Sequence, residues 1–181
     1  MKAFVLAILC ASLVLTGCTV RFVPSPDIGA KERLNLYVGL LIPKAEASRS
    51  AHVGSKTVMT GNALKVGARN TFQQLYTNVF ELETREQAGA TPDLQLLLLP
   101  RVVSFNIDPN GQATVVLGCR LTNMQDRVML DSTWSGSSSP SEPANQGAAG
   151  KGSIERASSE AFEVAFKQMA ISVSLPRTSF R

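Results

Sequence analysis

The sequence is poor in the residue types that most catalytic and metal sites need. His52 is its only histidine, and Cys10 and Cys18, two of its three cysteines, stand near its start. A Ser-His-Asp relay would have to use His52, which lies in a polar segment without a nucleophile-elbow pattern and is expected to be solvent-exposed. A zinc site of His and Cys ligands lacks the ligands. We therefore expect no catalytic residue, no metal, no cofactor and no enzymatic activity.

The sequence also lacks any cluster of charges of one sign. Its formal net charge is +4, but the basic residues are scattered singly along the chain. A nucleic-acid-binding protein gathers Lys and Arg on one face or stripe. The charge pattern predicts a solvated surface and no nucleic-acid partner.

No apolar run is long enough to stay in a membrane. After Lys2, the run from Ala3 to Leu15 is about 13 residues long and is interrupted only by Ser12, whereas a membrane-spanning helix needs roughly 20 apolar residues. A short positive region followed by such a run is typical of an export signal. We expect residues 1–17 to be a signal peptide that is removed.

The most specific motif in the chain stands at the end of this run. The sequence Leu15-Thr16-Gly17-Cys18 resembles the lipobox of bacterial lipoproteins, in which the cysteine thiol receives diacylglycerol. The alternative is an ordinary signal peptide with Cys18 left as a plain thiol. The resemblance implies a palmitate-bearing membrane anchor at Cys18. Because Thr19 stands where an aspartate would signal inner-membrane retention, it also implies the periplasmic face of the outer membrane.

The rest of the chain fits one domain after a linker. Residues 18–32 contain Pro24, Pro26 and Gly29 with little apolar periodicity, which predicts a lipidated tether. Residues 33–181 are expected to form a single periplasmic domain, with a flexible loop at 136–152 where Gly, Ser, Ala and Pro dominate. Cys119 would be the last free thiol. We favour a buried, inert cysteine there over a reactive one.

Apolar periodicity predicts the order of elements in this domain. Alternation favours a strand at 33–43, a hairpin of 93–107 and 113–122, and a third strand from Val128 to Trp134. A helical stripe favours a helix from Asn62 to about Phe80, and a second helix opens at Ser153. Residues 44–60 are ambiguous, and 171–175 alternate like a closing strand. The predicted class is α+β, with an antiparallel sheet of about four or five strands packed by two helices.

The lipobox, the tether, the segment from Gly61 to Phe72 and the strand start Asp93 to Leu96 together resemble small Gram-negative envelope lipoproteins. The YajG-like, transport-auxiliary and PelC-type lipoproteins are the families in question, with a fold similar to the N-terminal domain of TolB. The resemblance implies an accessory or structural subunit of an envelope transport, secretion or assembly machine, with envelope proteins as partners. The alternative is a binder of a small ligand or lipid. A homo-oligomeric ring is also expected, through surfaces at 113–134 and 44–60, against the alternative of a monomer.

The anchor is directly testable. We expect Cys18→Ser to abolish incorporation of labelled palmitate and to release the protein from the outer-membrane fraction, because stable attachment requires more than one acyl chain and the serine can carry none on a thioether. Metabolic labelling and membrane fractionation measure both effects. A serine variant that still fractionates with the outer membrane would show that partners or an uncleaved signal retain it.

Overall fold

The structure is a computed structural model that describes residues 18–140 and 151–174. Within these ranges it has eight strands: β1 (Thr19–Val20), β2 (Leu34–Leu41), β3 (Ala51–Val53), β4 (Lys56–Val58), β5 (Tyr76–Leu82), β6 (Leu96–Ile107), β7 (Ala113–Asn123) and β8 (Val128–Ser137). It has four helices: α1 (Lys44–Ala47), α2 (Thr60–Leu75), α3 (Arg85–Ala90) and α4 (Lys151–Ser174). The predicted α+β class is confirmed.

The strands form two sheets. The larger one has five strands in the order β5-β2-β6-β7-β8, and the smaller one has three in the order β1-β4-β3. From β6 to β8 the large sheet is the predicted antiparallel meander, but β2 pairs in parallel with both β5 and β6. The sheet is thus mixed rather than wholly antiparallel, because a strand-helix-strand crossover brings β5 back beside β2.

Pro100 shows how the two halves of the sheet meet. It lies inside β6, where its missing N–H would break a ladder in a central strand. However, β2 pairs only with Leu96, Leu97 and Leu98 of β6. At Pro100, β6 therefore pairs on one side only, with Cys119 of β7. The proline is tolerated because it lies where a central strand becomes an edge.

Both long helices pack on one face of the large sheet and bury the main core. Helix α2 ends at Leu75, not near Phe80 as predicted, since Tyr76 is already extended (φ −121°, ψ 145°) and begins β5. Helix α4 continues through the predicted closing strand to Ser174. Its last turns bury Met169, Ala170 and Val173, a helical spacing that places Ile171 outside.

The predicted loop at 136–152 is shorter at both ends than expected. Strand β8 includes Gly136 and Ser137, and α4 already begins at Lys151. Gly136 packs so closely on α4 that an added Cβ would overlap the Ala161 carbonyl oxygen. This contact explains why β8 continues through a Gly and Ser sequence. The predicted flexible stretch 141–150 lies outside the described residues.

The segment predicted as a tether is instead packed on the domain. We call Thr19 to Ile28 the N-terminal strap. Its side chains alternate strictly, with the buried ones being Val20, Phe22, Pro24 and Pro26 and the exposed ones Thr19, Arg21, Val23, Ser25 and Asp27. The strap lies against both long helices, so the folded domain begins at Thr19 rather than at residue 33.

Hydrogen bonds hold the strap along its length. Asn70 Nδ2 donates to the Pro24 carbonyl at 3.1 Å, and Gln74 Nε2 donates to the Pro26 carbonyl at 2.8 Å. On the other side the Ser25 N–H donates to Glu163 Oε1 at 3.3 Å. Proline suits these positions because it stays extended and its carbonyl still accepts. The strap therefore has partners on α2 and on α4.

Adjacent strap residues provide a matched test of this packing. We expect Phe22→Ala to lower the free energy of unfolding by about 3–5 kcal/mol, because it leaves a cavity beside Phe162. Val23→Ala should change the free energy of unfolding by less than about 0.5 kcal/mol, because Val23 is 59% exposed. Urea unfolding of both variants in the Cys18→Ser chain, followed by the fluorescence of Trp134, measures the difference. Equal effects would mean that the strap is not part of the cooperative core.

Candidate functional site

Cys18 is the candidate site that the sequence singles out, and it is exposed in the structure. The chain is fixed immediately after it. The Thr57 N–H donates to the Cys18 carbonyl at 3.2 Å, and the Met59 N–H donates to the Val20 carbonyl at 3.0 Å. These bonds join β1 to β4 in parallel, with Thr19 beside Thr57. A lipid on the Cys18 thiol would have almost no slack between itself and the folded domain.

A β-hairpin lies beside Cys18. Strands β3 and β4 are antiparallel and are joined by a tight turn in which Gly54 has φ +58°, a conformation that favours glycine. Since β1 runs parallel to β4, the tip of this hairpin is level with Cys18. We call Cys18 together with the tip, Gly54 to Lys56, the anchor end.

The base of the hairpin is fixed to the large sheet through α1. Beyond the end of β2, the free side of β6 offers the backbone groups of Val102. The Val102 N–H donates to Glu46 Oε1 at 2.7 Å, and the Arg49 guanidinium donates to the Val102 carbonyl. Arg49 and Glu46 also form an ion pair at 3.5 Å. Two side chains thus satisfy a sheet edge and hold the anchor end in position.

His52 lies on β3 and is exposed, as predicted. Its Nδ1 is 3.5 Å from the Thr57 hydroxyl on the neighbouring strand. Within residues 18–140 and 151–174, no three His, Cys, Asp or Glu side chains are grouped so that they could hold a metal ion.

Cys119 is the other cysteine in the described part of the chain, and it is completely buried in β7. Burial raises the pKa of its thiol to about 12, so the thiolate that reacts with oxidants and alkylating agents is suppressed. The expectation of a small buried hydrophobe is confirmed.

A groove lies at the other end of the strap. It has a volume of about 470 Å³ and lies where α2 and α4 end, with Leu34 at the start of β2. Its apolar wall consists of Ile28, Leu34, Leu75 and Ile171, and Lys31 and Glu32 stand at its rim. Ile171 is 60% exposed. Since the extended strap runs from Cys18 to Ile28, the groove lies at the opposite end of the strap from the anchor end.

The surface nominated for a ring includes the sheet face opposite the long helices, which we call the outer face. Part of it is covered by α3, over a small second core of Leu41, Leu82, Ala88, Leu94 and Leu97. The rest carries a charged cluster in which Asp131 accepts from Arg120 at 2.9 Å and from Arg101 at 3.3 Å. The hydrogen bond from Arg120 lowers the pKa of the Asp131 carboxyl. The part of the outer face around Asp131 is therefore polar and charged, whereas Phe80 and Val103 are exposed apolar side chains elsewhere on the sheet.

Sequence reasoning missed the strap, β5 and the second core. The alternation of Val20, Phe22, Pro24, Pro26 and Ile28 was available as a signal for the strap. It is hard to recognise because two of the buried positions are prolines, which rarely occur in central strands.

No helix within the described ranges is long and apolar enough to cross a membrane. No family model matches the sequence, and no curated protein matches it.

Solved structures do resemble the fold. Protein XCC0632 from Xanthomonas campestris, of family DUF330, has a TM-score of 0.50 at 16% identity, covering 87% of this chain and 90% of its own. The PelC dodecamer from Paraburkholderia phytofirmans has a TM-score of 0.44 at 13% identity, covering 72% and 91%. Hypothetical protein CT253 from Chlamydia trachomatis has a TM-score of 0.45 at 8% identity, covering 77% of this chain and 96% of its own. The likeness to XCC0632 concerns the fold alone, and the other two are looser.

Proposed function

We propose that the protein is a non-enzymatic lipoprotein, acylated on Cys18 and held at the periplasmic face of the outer membrane. There it acts as an accessory or structural subunit of an envelope transport, secretion or assembly machine. The observation that supports this most is the exposure of Cys18 directly before a strap that is packed from Val20 onward. An anchor built in this way fixes the orientation of the domain as well as its location.

A fixed orientation suits a scaffold. A domain on a long flexible tether samples many directions, so each partner that binds it must also restrict that motion. Here the Cys18 and Val20 carbonyls are already bonded to β4, so the restriction is present before any partner arrives. Anchoring also confines subunits to a plane and raises their effective concentration. Both effects favour assembly with protein partners or with further copies of the chain.

The uncovered outer face is the surface we assign to partners. It presents Arg101, Arg120 and Asp131 around Gly118, where the guanidinium of Arg101 lies over the glycine. Charged groups at an interface contribute mainly to specificity and to the rate of association. A polar face of this kind fits a reversible interface with another envelope protein or a head-to-tail contact in a ring.

We expect Thr133→Glu, on the outer face of β8, to reduce partner recovery and crosslinking, because it adds a negative charge beside Asp131 at the assigned interface. Gln168→Glu adds the same negative charge on the exposed side of α4 and serves as the matched control. Affinity purification from detergent-solubilised membranes measures partners, and crosslinking in intact cells measures self-association.

The pattern of bands separates the alternatives. A ladder of regularly spaced products that weakens in Thr133→Glu supports a ring, and products with other proteins support an accessory role. A single band at monomer mass in cells, with a lone monomer recovered in several detergents, would contradict both.

A second candidate function is the binding of a small apolar ligand or lipid. The groove at Ile28, Leu75 and Ile171 favours it, because its volume of about 470 Å³ falls within the range of roughly 300–1,000 Å³ that is usual for ligand pockets.

Native mass spectrometry of gently extracted protein tests this candidate. We expect any bound ligand to be lost in Ile171→Glu, which places a charge on the apolar wall, and to be kept in Val128→Glu. Val128 is a comparable control because it is an exposed apolar residue, at 50%, that lies at the start of β8 and does not line the groove. Unliganded protein in every preparation would leave the scaffold as the function.

A further inference from the structure

We propose that the tip of the β3–β4 hairpin, Gly54 to Lys56, lies on phospholipid headgroups, so that the domain stands on the membrane on its anchor end. This inference rests on the proposed function, since it needs acyl chains on Cys18. Beyond the proposed function, it identifies the surface that meets the membrane and assigns the hairpin a role in binding lipid headgroups.

The first argument is distance. Hydrogen-bonded strands lie about 4.8 Å apart, and the Thr57 N–H is bonded directly to the Cys18 carbonyl. The hairpin tip is therefore within about 10 Å of the Cys18 backbone, two strand spacings at most. The headgroup layer on each side of a bilayer is itself roughly 5–7 Å thick. Acyl chains that enter the bilayer from Cys18 leave the tip at the level of the headgroups.

The second argument is rigidity. The tip would move away from the membrane if the chain after Cys18 could pivot. It cannot do so freely, because Val20 and Phe22 are at most 2% exposed and the ring of Phe22 packs edge-on against Phe162 at 5.1 Å. At its base the hairpin is held to β6 through Glu46 and Arg49. Both parts of the anchor end are thus attached to the same core.

The third argument is the kind of surface. The stretches of chain nearest the tip, 18–22 and 51–58, contain Arg21 and Lys56 and no acidic residue. A carboxylate close to phosphate headgroups would be repelled, whereas basic groups near an anionic leaflet are attracted to it. The tip itself is short and polar, with Gly54 and Ser55 exposed. It suits the headgroup layer rather than the hydrocarbon.

The test places a fluorescent nitrobenzoxadiazole group at Ser55→Cys in the acylated full chain, reconstituted into vesicles of phosphatidylethanolamine and phosphatidylglycerol that contain a headgroup-nitroxide lipid. Gln125→Cys is the matched control, because Gln125 is exposed in the turn between β7 and β8. That turn lies at the end of the large sheet where β6 begins, because Leu96 pairs with Asn123 there. The hairpin is instead attached farther along β6, at Val102. Cys119 stays unlabelled because it is buried.

We expect nitroxide quenching several-fold stronger at Ser55→Cys than at Gln125→Cys. Inserting about ten Gly and Ser residues directly after Cys18, a linker with a root-mean-square length of about 17 Å, should reduce the Ser55→Cys signal to that of the control. Equal quenching at the two sites without the linker overturns the inference, and so does quenching at Ser55→Cys that the linker leaves unchanged.

Mass spectrometry of the N-terminal peptide from the same samples distinguishes the two levels of proposal. Acylated Cys18 with equal quenching overturns the orientation and leaves the lipoprotein assignment standing. An unmodified Cys18 overturns both.

Discussion

Phe162 is completely buried, and its ring contacts aromatic rings from three parts of the chain. Phe22 of the strap lies 5.1 Å away, Phe105 of β6 6.2 Å away, and Phe166 of the same helix 6.2 Å away. Phe166 in turn packs against Gly67 of α2, at a place where an added Cβ would overlap the ring. Phe162 thus links the strap, the sheet and α4 directly, and α2 through Phe166. The packing of the strap depends on this cluster, because the strap has its largest buried side chain, Phe22, there.

The two faces of the large sheet are covered to different extents, because both long helices pack on the same face. One face is fully used by α2 and α4, which need small residues such as Gly67 and Gly136 to come close. The other face is covered only where α3 packs over Leu41, Leu82 and Leu97. The remaining outer face is stabilised by side-chain pairs on its own surface, with Asp131 shared between two arginines. The two faces thus differ in how much of their area another element of this chain covers.

Much of the fold could be predicted from local periodicity, and the parts that could not depend on distant partners. The meander was predictable because alternation and the turn at Asp108 to Gly111 lie within one stretch of chain. Strand β5 was not, since Leu75 and Val79 suit a helical stripe equally well and only pairing with β2 decides between the two. At the end of α4, the alternation of Ile171 and Val173 competed with a helical spacing of Met169, Ala170 and Val173. Cys18 was recognisable from a motif, but its attachment to β4 requires residues almost forty positions away.

The strap also joins parts of the chain that are far apart in sequence. Its contacts with α4, such as the one between Ser25 and Glu163, join residues 138 positions apart. Contacts of such high sequence separation are costly to close and slow to form. The contacts of the strap with α4 can therefore form only after that helix has been synthesised, whereas its contacts with β4 and α2 involve nearer residues. Until α4 has packed on the sheet, the strap lacks the contact of Phe22 with Phe162 and the bond from Ser25 to Glu163, so the chain next to Cys18 is only partly held in place.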